Sequence, residues 1–165
     1  MKSIHEEIKP AQLAEEYAHR SLGRLFIVFA SIEFKLALGL ANASFDLGFE
    51  WPTDMKKMRF QDKLENFIHI SVMNKDRNDI HYQQCFEWYQ AADSVREARN
   101  RFAHGRWAFL RNEPHIVHVA GYPDGKQDEL RLSLADLNDI VEAAVSVDEG
   151  LARLISNLAD KTRAS

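Results

Sequence analysis

Arg99, Asn100 and His104 are the residues of this sequence best suited to act together on a charged substrate. A guanidinium offers planar paired donors to a phosphate. An imidazole moves a proton near neutral pH, and an amide can orient either group. On an ideal helix of about 100° per residue, with Arg99 at zero, Ala103 falls near 40°, Arg96 near 60°, Asn100 near 100° and His104 near 140°. Trp88, Ala91, Val95, Ala98 and Phe102 fall on the other side, with Ala92 at the edge. One face of such a helix packs inward. The adjacent face presents two arginines, an amide and an imidazole around a small alanine, which suits phosphate binding or phosphodiester cleavage. A plainer reading stays open beside it. Arginines near a helix end form surface ion pairs, and a histidine before Gly105 caps terminal carbonyls.

Charge points to the same segment. The chain carries −4 overall, yet Arg96, Arg99, Arg101, Arg106 and Arg111 face one acid, Glu97, giving +4 there and −8 elsewhere. The net charge argues against nucleic-acid binding by the whole surface. Arg101 and Arg106 are instead candidate RNA contacts flanking the motif, and Arg96 a supporting one. An exposed helix end, where cations favour the dipole, would explain the cluster equally simply. Glu33 falls within about 20° of Leu22, Phe26 and Leu40 on its helix. A carboxylate on an apolar face needs a partner, and Arg99 or His104 is the partner expected; a purely structural pair is the alternative.

The elements that must position these residues are mostly helical. A first helix starts near Pro10, which suits a first turn, and runs to about Asn42, with Gly39 weakening its end. Its stripe is Leu22, Leu25, Phe26, Phe29, Leu36 and Leu40. After a loop with Gly48, Trp51 and Pro52, a second helix is expected from Thr53 or Met55 to Val72. The third spans about Asn78 to His104, with Gly105 as its C-cap. The pattern then turns to strands: 115–120 paired with 128–133 in a hairpin around Pro123-Asp124-Gly125. Ser133 with Asp136 forms a capping box for the last helix. Its stripe runs from Leu137 through Val141, Ala144, Val147, Leu151 and Leu154 to Leu158. The expected architecture is an all-α domain over 1–165, with its core in about 11–160. It is a four-to-five-helix bundle carrying a small β-hairpin.

Arg99-Asn100-x-x-x-His104 resembles the R-x(4–6)-H motif of the HEPN superfamily of helical RNA-cleaving and RNA-binding proteins. The placement also resembles HEPN: the motif ends a late helix of a bundle and precedes a final long helix. The resemblance implies a homodimer that brings two motifs to one cleft and an endoribonuclease that needs no metal. The 2′-hydroxyl attacks the adjacent phosphate and leaves a 2′,3′-cyclic phosphate. His104 would transfer the proton, Arg99 would stabilise the developing charge, and Asn100 would support the geometry. Toxin–antitoxin or phage-defence systems, and an antitoxin partner, are further implications. One toxin branch has a tyrosine two residues after the histidine; here Arg106 stands there, followed by Trp107. A non-catalytic helical interaction module and a nucleotide-binding relative are the alternatives.

Other chemistries find less support. One cysteine, Cys85, excludes an internal disulfide and a thiolate zinc site, and its aromatic neighbours place it in a core. His115 and His118, three apart on a strand, face opposite sides and cannot chelate together without a bulge. No cofactor motif is present. Tyr82, Phe86 and Tyr89 could stack bases or serve as core or dimer surface. The opening residues lack a signal-peptide apolar region, and 25–40 is too short and polar for a lone membrane span. A cytoplasmic protein is the expectation.

Overall fold

The computed structural model describes residues 10–48, 50, 54–73, 75–109, 115–121 and 125–163. Among the described residues 73% are helical, in four helices, and a small three-stranded antiparallel sheet is present. The order is α1 (Pro10–Leu47), α2 (Phe60–Val72), α3 (Ile80–Ala103), β1 (Arg106–Phe109), β2 (His115–Ala120), β3 (Asp128–Ser133) and α4 (Leu134–Arg163). It divides into two compact units, one formed by Met1–Phe26 with Ala98–Glu142, the other by Ile27–Glu97 with Ala143–Ser165. Trp51, Pro52, Thr53, Arg111 and the Pro123-Asp124 turn lie outside the described residues.

The second unit is a bundle. Leu36, Leu64, Phe67, Trp88 and Leu151 are buried in it, and each such side chain stabilises the fold by about 2 kcal/mol relative to exposure. Phe67 meets Trp88 edge-on at 5.7 Å, and the Trp88 indole N–H donates to the Val147 carbonyl at 2.9 Å. Gly39 does not end α1, which continues to Leu47. A Cβ there would stand 3.2 Å from both Ile155 Cγ1 and Phe67 Cε2. Its small size lets α2 and α4 approach α1. Helix α2 starts at Phe60, later than the Thr53–Met55 expected. Asp54 instead closes a turn, its Oδ1 accepting from Lys56 N–H and its carbonyl from Lys57 N–H.

The first unit holds the sheet, in the order β1-β2-β3. The expected hairpin is present: His115 pairs with Ser133 and Ala120 with Asp128. A strand not anticipated, β1, adds to its far edge, pairing Arg106 with Val119 and Phe109 with Ile116. Four residues with one alternation are too few for periodicity to announce a strand. The capping box forms as expected. Ser133 Oγ accepts from Asp136 N–H at 3.1 Å, and Asp136 Oδ2 accepts from Ser133 N–H at 2.8 Å. The Ser133 N–H and the Ser133 hydroxyl both donate to Asp136 Oδ2, and these two bonds hold the Asp136 carboxyl below its ordinary range.

By length and composition α1 could cross a membrane, with mean hydropathy 1.7 in its most apolar window within Gln12–Asp46. It is thus longer than the apolar stretch first read from the sequence. The same helix supplies Leu25, Phe29, Ile32, Leu36 and Leu40 to the buried interior.

Candidate functional site

The last turn of α3 carries Arg99 and Asn100. Both are half-buried. Arg99 Nη1 donates to Asn100 Oδ1 at 3.1 Å, and its Cζ lies 5.7 Å from the centroid of the Phe26 ring. An amide on one side and an aromatic face on the other restrain the guanidinium. A cation over a ring gains about 1 kcal/mol where partly desolvated.

The helix then stops abruptly. His104 N–H donates back to the Arg101 carbonyl at 3.3 Å, a tightened final turn. Gly105 follows at φ 118°, where only glycine is comfortable. The chain reverses there into β1. The His104 side chain is exposed at this corner. Its carbonyl oxygen lies 2.9 Å from Nε2 of His118, on the middle strand.

His118 is fully buried. Its ring packs 4.7 Å from Trp107 and 5.7 Å from Phe102, and those two rings meet at 5.1 Å. Because a carbonyl only accepts, Nε2 carries the hydrogen of this bond. Nδ1 is buried and has no hydrogen-bond partner among the described residues. Burial holds this imidazole below its ordinary pKa, against the opposing effect of the bond to His104. A buried histidine, donating from Nε2, therefore anchors the backbone of an exposed one.

The other expected residues are placed differently. Arg101 reaches Asp128 at 3.5 Å, and Arg106 is exposed at the start of β1. Arg96 is bound to Asp93 at 2.6 Å and Glu97 at 3.4 Å, and the Asp93 bond raises its affinity for its proton. Its charge is therefore largely answered on its own helix. Glu33, expected to orient Arg99 or His104, pairs with Lys63 at 2.8 Å. The residue that most needed a partner is Lys63, which is buried, while Glu33 is partly exposed.

His118, Phe26 and Trp107 were missed as parts of the site. The available signal was a histidine inside Ile116-Val117-His118-Val119, an apolar strand where a polar ring must find a bond. Read only as a metal ligand, it gave no hint of that. Among the described residues, no group of three or more histidine, cysteine, aspartate or glutamate side chains is placed to hold a metal ion. No protein-family model, curated protein or solved structure matches the chain.

Proposed function

We propose that the protein is a HEPN-like endoribonuclease acting without a metal, or an RNA-binding relative, with its site at the α3–β1 corner. The observation that carries this reading is the restrained Arg99 guanidinium one helical turn before an exposed histidine on an anchored backbone. Such an arrangement can grip a phosphodiester at Arg99 and present an imidazole to it. His104 would take the proton of the 2′-hydroxyl as its oxygen attacks phosphorus. The bond from phosphorus to the 5′-oxygen would break, that oxygen would take a proton from solvent water, and a 2′,3′-cyclic phosphate would remain. Arg99 would meet the negative charge that builds on the phosphoryl oxygens, and Asn100 would hold Arg99 in place. Arg101 and Arg106, both exposed, would contact flanking phosphates. In this reading two copies line one cleft, the protein works in the cytoplasm, and an antitoxin protein could regulate it.

The test is cleavage of mixed RNA by purified protein in EDTA. Wild type should yield cyclic-phosphate ends. His104→Ala and Arg99→Ala should each lose at least about 100-fold in rate while keeping their helical signal. Binding without cleavage by the wild type would reduce the reading to RNA recognition. Neither binding nor cleavage would favour a helical interaction module.

A further inference from the structure

Helix α1 carries an exposed apolar stripe. Ile27, Phe34, Leu38 and Phe45 are 73%, 69%, 49% and 88% exposed. At about 100° per residue they fall within roughly 40° of one another. They form one ridge about 27 Å long on the second unit. Ser31 and Ala41 complete its alternating spacing of four and three. Ala30 and Ala37 border one side, small enough to let another backbone come close.

The order of these residues is symmetric about position 36. Ile27 mirrors Phe45, Ser31 mirrors Ala41, and Phe34 mirrors Leu38. In an antiparallel pair of identical helices related by a two-fold axis at that point, large side chains meet large ones and the small pair meets between them. A two-fold interface must match itself in this way: residue i touches j, and j touches i.

We propose that α1 is the self-association face of this protein. Its occupant is α1 of a second copy, antiparallel, with Phe34 against Leu38 and Ile27 against Phe45. The exposed ridge amounts to ~500 Å² of apolar surface per copy. That is a large patch for a monomer. Doubled, it reaches the ~1,000 Å² that a specific interface needs. Two of the polar groups beside it, Ser31 and Lys35, can be covered cheaply, because they are already satisfied. Ser31 Oγ donates to Asp148 Oδ1 at 3.0 Å, and Lys35 Nζ pairs with Asp148 Oδ2 at 2.6 Å. A membrane surface would call for cations along the flanks. Here one flank is alanine and the lysine on the other is held by Asp148. The pairing does not depend on the ribonuclease reading: Phe26, beside Arg99, lies ten residues from the axis, so the two Arg99 sites stand about 30 Å apart in this pair and a cleft shared by two copies would need a second interface.

Sedimentation velocity of the full chain should show a dimer at tens of micromolar. Phe34→Glu should raise the dimer dissociation constant by at least ~100-fold with the helical circular dichroism unchanged. Orientation is read by oxidation of mixed chains. Ser31→Cys mixed with Ala41→Cys should form a disulfide-linked dimer, and each alone should not. A wild-type monomer at ~100 μM, a dimer that survives Phe34→Glu, or self-linking of Ser31→Cys would each overturn the proposal. So would flotation of the wild type with phosphatidylcholine–phosphatidylglycerol vesicles, lost in Phe34→Glu, without a dimer in solution. If Phe34→Glu is monomeric and still cuts RNA, this interface stands and the site is complete in one copy. If the wild type is dimeric and inert toward RNA, the interface stands and the ribonuclease reading fails.

Discussion

His118 Nε2 donates to the carbonyl oxygen of His104 at 2.9 Å. One histidine is sealed beneath the corner and the other is open to solvent on top of it. The lower ring fixes where the backbone of the upper one sits. Anchoring and solvent exposure are therefore divided between two histidines, and substitution can separate them.

His118→Phe keeps a ring between Phe102 and Trp107 but removes the donor. The His104 carbonyl is left unanswered, and stability should fall by about 1–3 kcal/mol in urea unfolding. RNA cleavage should fall with it. His118→Gln can return an N–H to that carbonyl and should recover part of both. His104→Ala should abolish cleavage at little cost in stability, because its side chain is exposed.

Stability should depend on pH through His118. Its folded pKa lies below the unfolded value of about 6.5, so the unfolded chain binds the proton first. The contribution is fully present above about pH 6.5 and is lost as pH falls toward the folded pKa. Urea midpoints measured from pH 7.5 downward should fall below about 6.5. The slope should be shallower in His118→Phe. An unchanged slope would mean that other groups set the acid limit.

Gly105→Ala should be among the most damaging small substitutions. Its φ of 118° is strained for any residue with a Cβ, and that Cβ would stand 2.6 Å from the Val119 carbonyl oxygen and 2.8 Å from His118 Nε2. A loss of about 3 kcal/mol or more is expected, with the His104 anchor disturbed. Gly23→Ala is the control. Nothing lies within 4 Å of a Cβ there, and an exposed helical alanine should add about 0.5–1 kcal/mol. Thermal unfolding of both variants checks the contrast.

Lys63 and Glu33 should not behave as equals. Glu33→Ala strands a buried ammonium and should cost about 2 kcal/mol, discounted because Glu33 is partly exposed. Lys63→Met removes the charge at similar volume and should cost less than about 1 kcal/mol. The pair also tests the site. If Glu33 serves only Lys63, Glu33→Ala should cut RNA at the wild-type rate at temperatures where it remains folded.

Much of this arrangement could be read from residue types alone, where the governing physics is local. The hairpin bounds and the Ser133–Asp136 cap depend on period-two alternation and on a bond between residues three apart. Gly105 ends α3 for a reason carried by one residue. Three misjudged features depend on partners distant in sequence. Gly39 was read as a helix weakener, although its role is set by Phe67 and Ile155. Glu33 points by its position to Arg99 or His104, because no periodicity reveals that Lys63 is buried. The importance of His118 became visible only when β1 and the end of α3 enclosed it.

Ser133 is both the last residue of β3 and the residue that opens α4, so strand phase and helix onset are locked at one α-carbon. Sliding the hairpin by one position would turn its buried side chains outward and also withdraw the hydroxyl from the Asp136 amide. Two errors would thus have to be made at once. The alignment of the sheet is dictated from its helix end, where His115 faces Ser133, rather than from the opposite end beyond the Ala120–Asp128 pair.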